Sequence, residues 1–546
     1  MNAITQTLSD SIKELFDVEI EPVLTRPEPQ FGDYTTNIAM QLAGRLKQPP
    51  RQIAEQLAAK LQETGDYDAV TIAGPGFINI TLEPSELMAL TRREPRPARA
   101  GQSVVIETNN PNPFKAMHIG HAMNAILADT IANLLAIDGA AVRRVSYHGD
   151  VGLHVGKSMY SLLRFIDGDI EKLRAVPEAE RNSFMSKMYA EGSNAYKEDA
   201  AAKAEIDALA QESFQPISDL YKEVYELCLA WSFEQIDAIV QRLGNLPTSA
   251  RFLESLADPK GVEIVKKHTP GVFEASDGAY IFKGSEHGSF DNAFVASNGR
   301  GLYAARDLGL MQLKQDLFHP QKSYIITAEE QRDYFKGVIA AAELALPELK
   351  GVTENIPHGT VKLSTGKMSS RNGDVLEIGW LFDQFAAAIV ERDGEPDDEI
   401  IAGALRYQFL KVKIGGDVVF DVNEAVSLTG NTGSYLQYAH ARARRIIEKS
   451  GAKTISMPVD VREEDRALVR KMGEYSEVIE LAKRTLEPHH ICTYLFELAQ
   501  EFNRYYEKNQ VVGSEHEAHR LGLVLTYADT LRAGLMILGI VAPNKM

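Results

Sequence analysis

Apolar residues recur at three- and four-residue spacing from Ile119 through Met123, Ile126, Leu127, Ile131 and Leu134 to Leu135. That period predicts a helix over 118–137 with one wide buried face. Residues 103–108 read as a strand before it, and 141–147 read as a strand after it. Strand, loop, helix, strand is the opening of a doubly wound parallel sheet. Toward the N-terminus, helices are predicted over 36–46 and 51–61, separated by Pro49-Pro50, which cannot continue a helix. Strands over 70–72 and 77–82 flank the turn Gly74-Pro75-Gly76. Residues 160–275 are patterned as helices and read as an insertion. Strand-like runs resume at 279–282, 301–304, 322–326 and 359–363. Beyond about 400 the chain is patterned as helix throughout. The predicted fold class is therefore α/β: a small α/β unit at 1–90, a linker at 91–100 (TRREPRPARA), and a Rossmann-like unit at 101–385. A connector at 386–425 and an all-α unit at 426–546 complete it.

Composition changes this picture little. The 546 residues are 44% hydrophobic and 25% charged, as in an ordinary soluble protein. The net charge of −18 disfavours indiscriminate nucleic-acid binding, so any RNA contact must use local basic patches. The two cysteines, Cys228 and Cys492, are far apart and form no metal-ligand spacing, so no zinc is expected and both read as buried apolar residues. The first sixteen residues carry acidic side chains and no apolar run, so they are not read as an export signal. No stretch is long and apolar enough to span a membrane.

Two short runs carry chemistry. His118-Ile119-Gly120-His121 opens the predicted helix, where free N–H groups and the positive dipole end suit a phosphate. The two histidines are three residues apart and share a helical face, so both imidazoles can meet one phosphate. Gly120 leaves room for a flat base against the backbone. The alternative is a pair of surface histidines at a helix start. Lys367-Met368-Ser369-Ser370-Arg371-Asn372-Gly373 follows a predicted strand and ends in the turn signal Asn-Gly. Lys367 can place charge on a triphosphate and the serines can add hydrogen bonds; an exposed basic loop is the alternative. The run is not a P-loop, because Val361 stands where the first glycine would be. Nor does a G-x-G-x-x-G follow the first strand, which argues against a dinucleotide dehydrogenase.

Taken together, in this order and about 250 residues apart, the two runs resemble the HIGH and KMSKS signatures of class I aminoacyl-tRNA synthetases. Ser370 departs from that pattern, which has a second lysine there. Lys115, just upstream of His118, could replace the missing cation; the arginine-specific enzymes of this class are similar in carrying a lysine at that point. A merely solvated Lys115 is the alternative.

The resemblance to arginyl-tRNA synthetases covers nearly the whole chain. It rests on FGDYTTNIAMQLA and IAGPGFINITL in the first unit. IETNNPNPFKAMHIGHAMN, HGDVGLHVGK, LYAARDLG and EEQRDYF carry it in the second, and GNTGSYLQYAHARARRII, HHICTYLFELAQEFNRYYE and LMILGIVAPNKM in the last. It implies a tRNA-binding N-terminal unit, a catalytic unit and an anticodon-binding helical unit. It also implies that Glu107, Asn112, Tyr303, Asp307 and Gln331 hold arginine. Asp307 and Glu107 would serve the guanidinium and ammonium groups in either order. His118, Gly120, His121, Lys115, Lys367, Met368, Ser369 and Ser370 would hold ATP, with Mg²⁺. Tyr435, Tyr438, Arg442 and Met546 would contact the anticodon, and Phe77 and Asn79 another part of the tRNA.

From the residues alone, Asp307 could equally pair with Arg306 or Arg300, Tyr303 could be a core tyrosine, and Asn79 could cap a turn. Tyr435, Tyr438 and Arg442 form a helical stripe that could be core packing. The chemistry still suits arginine, whose five donors and no acceptors call for carboxylate and amide oxygens. Such a site discriminates by about 10⁴ without editing, so no editing domain is expected. The implied reaction makes arginyl-AMP and pyrophosphate and then arginyl-tRNA, its first step requiring bound tRNA. The implied enzyme is a cytoplasmic monomer. A synthetase for another amino acid and a silent tRNA-binding paralogue are the competing readings.

Overall fold

The computed structural model describes residues 2–364, 377–392 and 394–546. The N-terminal unit packs helices α1 (Asn2–Phe16), α2 (Ile38–Leu46) and α3 (Pro50–Glu63) on a three-stranded antiparallel sheet. Its strands are β1 (Tyr34–Thr36), β2 (Tyr67–Ala73) and β3 (Phe77–Leu82), in the order β1-β3-β2. Pro50 sits at the first turn of α3, where no intrahelical N–H is needed, and Lys47 ends α2 in the left-handed conformation. A short helix, α4 (Pro84–Leu90), leads into the linker. The linker is pinned: the Arg96 carbonyl accepts from Lys483, and Arg99 pairs with Asp138.

The central unit contains β4 (Ser103–Asn109), α5 (Ile119–Ile137), β5 (Ala141–His148) and α6 (Leu153–Ile166). Further strands are β6 (Ala250–Leu253), β7 (Glu274–Ser276), β8 (Ala279–Phe282), β9 (Asn292–Val295), β10 (Lys322–Ala328) and β11 (Thr353–His358). Five of these form a wholly parallel sheet in the order β11-β10-β4-β5-β6. The first strand is thus central. The chain builds outward to β5 and β6 on one side and returns to add β10 and β11 on the other. The reversal makes a crevice at the carboxyl ends of β4 and β10, the place where such sheets bind ligands. Strands β7, β8 and β9 form a separate antiparallel sheet.

Three expectations are corrected. Residues 301–304 are not a strand: Gly301 makes only an isolated bridge with Val295, and Tyr303 begins a helix, Tyr303–Phe318. The apolar run there was too short for its period to separate strand from helix. The stretch 160–275 is mostly helical, but it also holds β6, an edge strand of the central sheet. Of 359–363 only β12 (Val361–Leu363) is strand; it pairs in parallel with β13 (Val418–Phe420), outside the central sheet.

The helix Ile378–Val390 runs across the 385/386 position, and Asp398–Leu410 leads to the C-terminal helices. Arg406 on the latter is fully buried. It pairs with Asp129 of α5 at 2.9 Å and donates to the Leu243 and Leu538 carbonyls and to Asn245. The C-terminal unit consists of helices Gly433–Ser450, Arg466–Gly473, Tyr475–Thr485, His489–Lys508 and Glu517–Ile537. The N-terminal unit docks on it through Arg26–Glu477 and through Asp33 with Arg466 and Arg470. Cys228 and Cys492 are free and buried. Among the described residues, no helix is long and apolar enough to cross a membrane.

Candidate active site at the sheet reversal

The carboxyl end of β4 turns polar while still buried: Glu107, Thr108 and Asn109 are all buried. Burying a carboxylate demands donors. Glu107 receives two, from Lys314 at 2.7 Å and from Asn110 at 2.8 Å. Lys314 is itself buried, so the pair is locally neutral. Asn110 also accepts from the Tyr147 N–H at 3.0 Å, and Asn112 accepts from the Gly149 N–H at 3.1 Å. The loop after β4 is thereby braced on the end of β5.

His118 caps α5 in extended conformation. Its backbone N–H donates to His121 Nδ1 at 3.1 Å, and the two rings stack at 3.6 Å. Burial, with the Lys115 charge nearby, pushes His118 down to about 4. Burial likewise holds His121 well below the usual imidazole range. Both rings are therefore neutral at pH 7. Because His121 accepts at Nδ1, its proton resides on Nε2, which is left to donate. Gly120 is needed here: a Cβ would lie 3.1 Å from the His118 ring.

A cavity of about 310 Å³ joins these groups; Glu107, His118, Gly120, His121, Asp307 and Gln331 all line it. Asp307 is partly buried within it and accepts from the Tyr334 hydroxyl at 2.5 Å. Burial, reinforced by Glu107 and Glu254, pushes its carboxyl up to about 7. It does not pair with Arg306, which is held by Glu254 at 2.8 Å and Asp258 at 3.2 Å. Gln331 stands at the exposed start of the helix after β10.

The remaining candidates line a neighbouring cavity of about 450 Å³, where Asn112, Lys115 and Tyr303 meet Lys157, Arg300 and Arg306. Tyr303 is 70% exposed, so it is not a core residue. Tyr303 and Asp307 lie one helical turn apart but open onto different cavities. Lys115 makes no ion pair among the described residues; burial and Lys157 lower its pKa.

Lys367, Met368, Ser369 and Ser370 lie outside the described residues. Their flanks are fixed. Ser364 bonds the Phe420 carbonyl and Asp421. On the other side Glu377 bridges to His118, and the Ile378 N–H donates to the Met117 carbonyl at 3.1 Å.

In the helix Gly433–Ser450, Tyr435 and Arg442 are joined through Asn503 at 2.8 and 3.2 Å, while Tyr438 is exposed. The C-terminal segment is tied to the same helix: His440 meets the Pro543 carbonyl and Gln437 donates to that of Val541. Met546 is exposed. Phe77 is exposed at the start of β3, whereas Asn79 is a buried strand residue and caps no turn. Among the described residues, Glu487, His489 and His490 bring three ligand atoms within 4.8 Å. They lie at the N-terminal end of a helix, where the dipole opposes a cation.

Sequence reasoning did not single out Tyr334, Lys314, Asn110 or Tyr147. Tyr334 lies within EEQRDYF, a segment already tied to the family; Lys314 sits 207 residues from Glu107, and nothing local signals that pairing.

The comparisons with known proteins follow this geometry. A model of the catalytic domain of class I tRNA synthetases of the arginine type matches residues 85–402. The arginyl-tRNA synthetase N-terminal domain matches 2–82, and the DALR anticodon-binding domain matches 436–546. Fold and site thus define a class I aminoacyl-tRNA synthetase. An arginine–tRNA ligase of Frankia casuarinae is 30% identical, over 96% of this chain and 95% of its own. One from Synechococcus elongatus is 29% identical, over 95% and 94%. Among solved structures, the Thermus thermophilus arginyl-tRNA synthetase aligns over 100% of both chains with a TM-score of 0.81 at 22% identity, which speaks for the fold. That of Plasmodium falciparum covers 100% of this chain and 99% of its own, with a TM-score of 0.79 at 17% identity. The chain belongs to the arginyl-tRNA synthetase family.

Proposed function

We propose that the chain is an arginine–tRNA ligase in which Asp307 holds the guanidinium of the substrate. The observation that carries this is a partly buried carboxyl, raised to about 7 by desolvation and nearby carboxylates, in the same cavity as the two signature histidines. An isolated buried carboxylate is strained by its lost hydration. A planar, weakly hydrated cation with several donors is the ligand that relieves it. Glu107 is already neutralised by Lys314, so it shapes the cavity and its lone pairs can meet the ammonium group. Gln331 offers a further amide oxygen at the rim.

ATP with Mg²⁺ then lies along the start of α5. The helix N-terminus and the neutral Nε2–H of His121 donate to the α-phosphate as charge grows on it. His118 packs beside His121 and fixes its ring. Mg²⁺ arriving with ATP would supply charge at the departing pyrophosphate. From the sequence motif, Lys367 and the serines beside it would add charge and hydrogen bonds to the same phosphates. The arginine carboxylate attacks the α-phosphorus, giving arginyl-AMP and pyrophosphate; no protein nucleophile is used. The terminal adenosine of tRNA approaches through the second cavity. There Tyr303 offers a face for its base, and Lys115 and Lys157 offer charge to its phosphate. Its 2′-hydroxyl attacks the arginyl carbonyl and AMP leaves. Tyr438, Arg442 and Met546 form the anticodon surface, with Phe77 as a distant second contact. The reading carries with it a monomer working in the cytoplasm.

The test is charging of total tRNA with each amino acid in turn, in the presence of ATP and Mg²⁺. Arginine alone should be incorporated. Incorporation of a different amino acid would leave the class standing and discard the guanidinium site.

A further inference from the structure

Tyr147 is placed with more care than a core tyrosine requires. Its ring packs with Val105, Val145 and Leu310 beneath the parallel sheet, and its backbone N–H is held by Asn110. Its hydroxyl is buried and finds no hydrogen-bond partner among the described residues. A buried hydroxyl is nearly always bonded, so one left open in a cavity points to a missing ligand group. Tyr147 lines the same cavity as Asp307 and Gln331. The charges that act on its hydroxyl most strongly are Asp307 and then Glu254, and burial with these carboxylates keeps the phenol protonated.

We infer that the Tyr147 hydroxyl is a specificity-determining contact for the substrate side chain, accepting a guanidinium N–H beside the one that Asp307 takes. The reasoning concerns polarity. The field of Asp307 and Glu254 draws the O–H proton to their side and leaves the oxygen lone pairs for a donor in the cavity. Those lone pairs suit a group that only donates, which is what a guanidinium is, and repel a substrate carboxylate. Two acceptors set at an angle also read the planar fork and penalise a single ammonium. The inference rests on the proposed reading of the cavity as an arginine site.

The test is Tyr147→Phe, which keeps the ring in its apolar seat and removes only the oxygen. The KM for arginine should rise roughly tenfold to a hundredfold, as for loss of a hydrogen bond to a charged group. The KM for ATP should stay within about twofold on the same scale of effects. Agmatine, which is arginine without its carboxylate, should lose potency as a competitive inhibitor in parallel. An arginine KM within about threefold of the parent would overturn the inference. So would a rise in arginine KM with agmatine inhibition unchanged, because the hydroxyl would then meet the carboxylate. Failure of the unmodified protein to charge arginine would instead remove the reading on which the inference stands.

Discussion

Asp307 shows how much one partly buried group can decide. Its carboxyl is pushed up to about 7 because burial, with the nearby Glu107 and Glu254, disfavours its charge more than the Tyr334 hydroxyl and Lys314 favour it. An arginine bound there stabilises the carboxylate, so binding and ionisation are linked. Above pH 7 the free protein already carries the charge and binds arginine fully. Below it, affinity falls about tenfold per pH unit, as arginine must displace a proton. The KM for arginine measured from pH 5.5 to 8.5 should therefore rise on the acid side with a break near 7, and the break should vanish in Asp307→Asn. The sign for stability is the reverse. A carboxyl raised in the folded state stabilises fully below its unfolded value near 4 and loses that contribution as pH rises toward 7. The histidines contribute no such break: His118 lies near 4 and His121 well below its ordinary value, so both are neutral across this range.

At the scale of elements, α5 is held at both ends. Its first turn carries the histidines proposed to meet the α-phosphate. Its third and fourth turns are clamped by Arg406, which joins Asp129 to the Leu243 and Leu538 carbonyls and so ties three other parts of the chain to one helix. Gly539 has no side chain because the Arg406 guanidinium occupies the place of its Cβ. Replacing Arg406 with Met should cost about 3–5 kcal/mol, since Asp129 would lose its fully buried partner and two carbonyls their donor. A urea titration would show it as a lower midpoint; an unchanged midpoint would mean that the clamp adds nothing. The helix itself was legible from sequence, because seven apolar residues on a 3.6-residue period between two strands leave little choice. The strand β4 was legible too, from the β-branched run Val104-Val105-Ile106 ahead of the loop. The edge strand β6 was not: four residues, Ala250–Leu253, set no period, and its place in the sheet comes from pairing with β5. The helix from Tyr303 was misread as a strand for the same reason. Of the site, the histidines and Asp307 were legible through their motifs. Their partners Tyr334 and Lys314 were not, because each becomes a partner only when elements far apart in sequence pack together.

The whole molecule brings tRNA to an acidic protein. A net charge of −18 opposes RNA at a distance, and attraction is confined to places where cations lack carboxylate partners. Lys115 and Lys157 beside the sheet crevice are one such place; the helix bearing Tyr438, Arg442, Arg444 and Arg445 is another. The ion pairs of Arg26, Asp33 and Arg466 and the pinned linker hold the N-terminal unit against the helical one, so the RNA-facing parts are presented as one body. On the proposed reading, charging depends on the match between a guanidinium and the Asp307 carboxylate. The most direct measurement is kcat/KM for arginine in tRNA charging by Asp307→Asn, compared with the unmodified chain at pH 8. A fall on the order of 10²–10³, with the KM for ATP nearly unchanged, is predicted from loss of a buried charge pair. Charging of arginine at an undiminished kcat/KM by Asp307→Asn would contradict it.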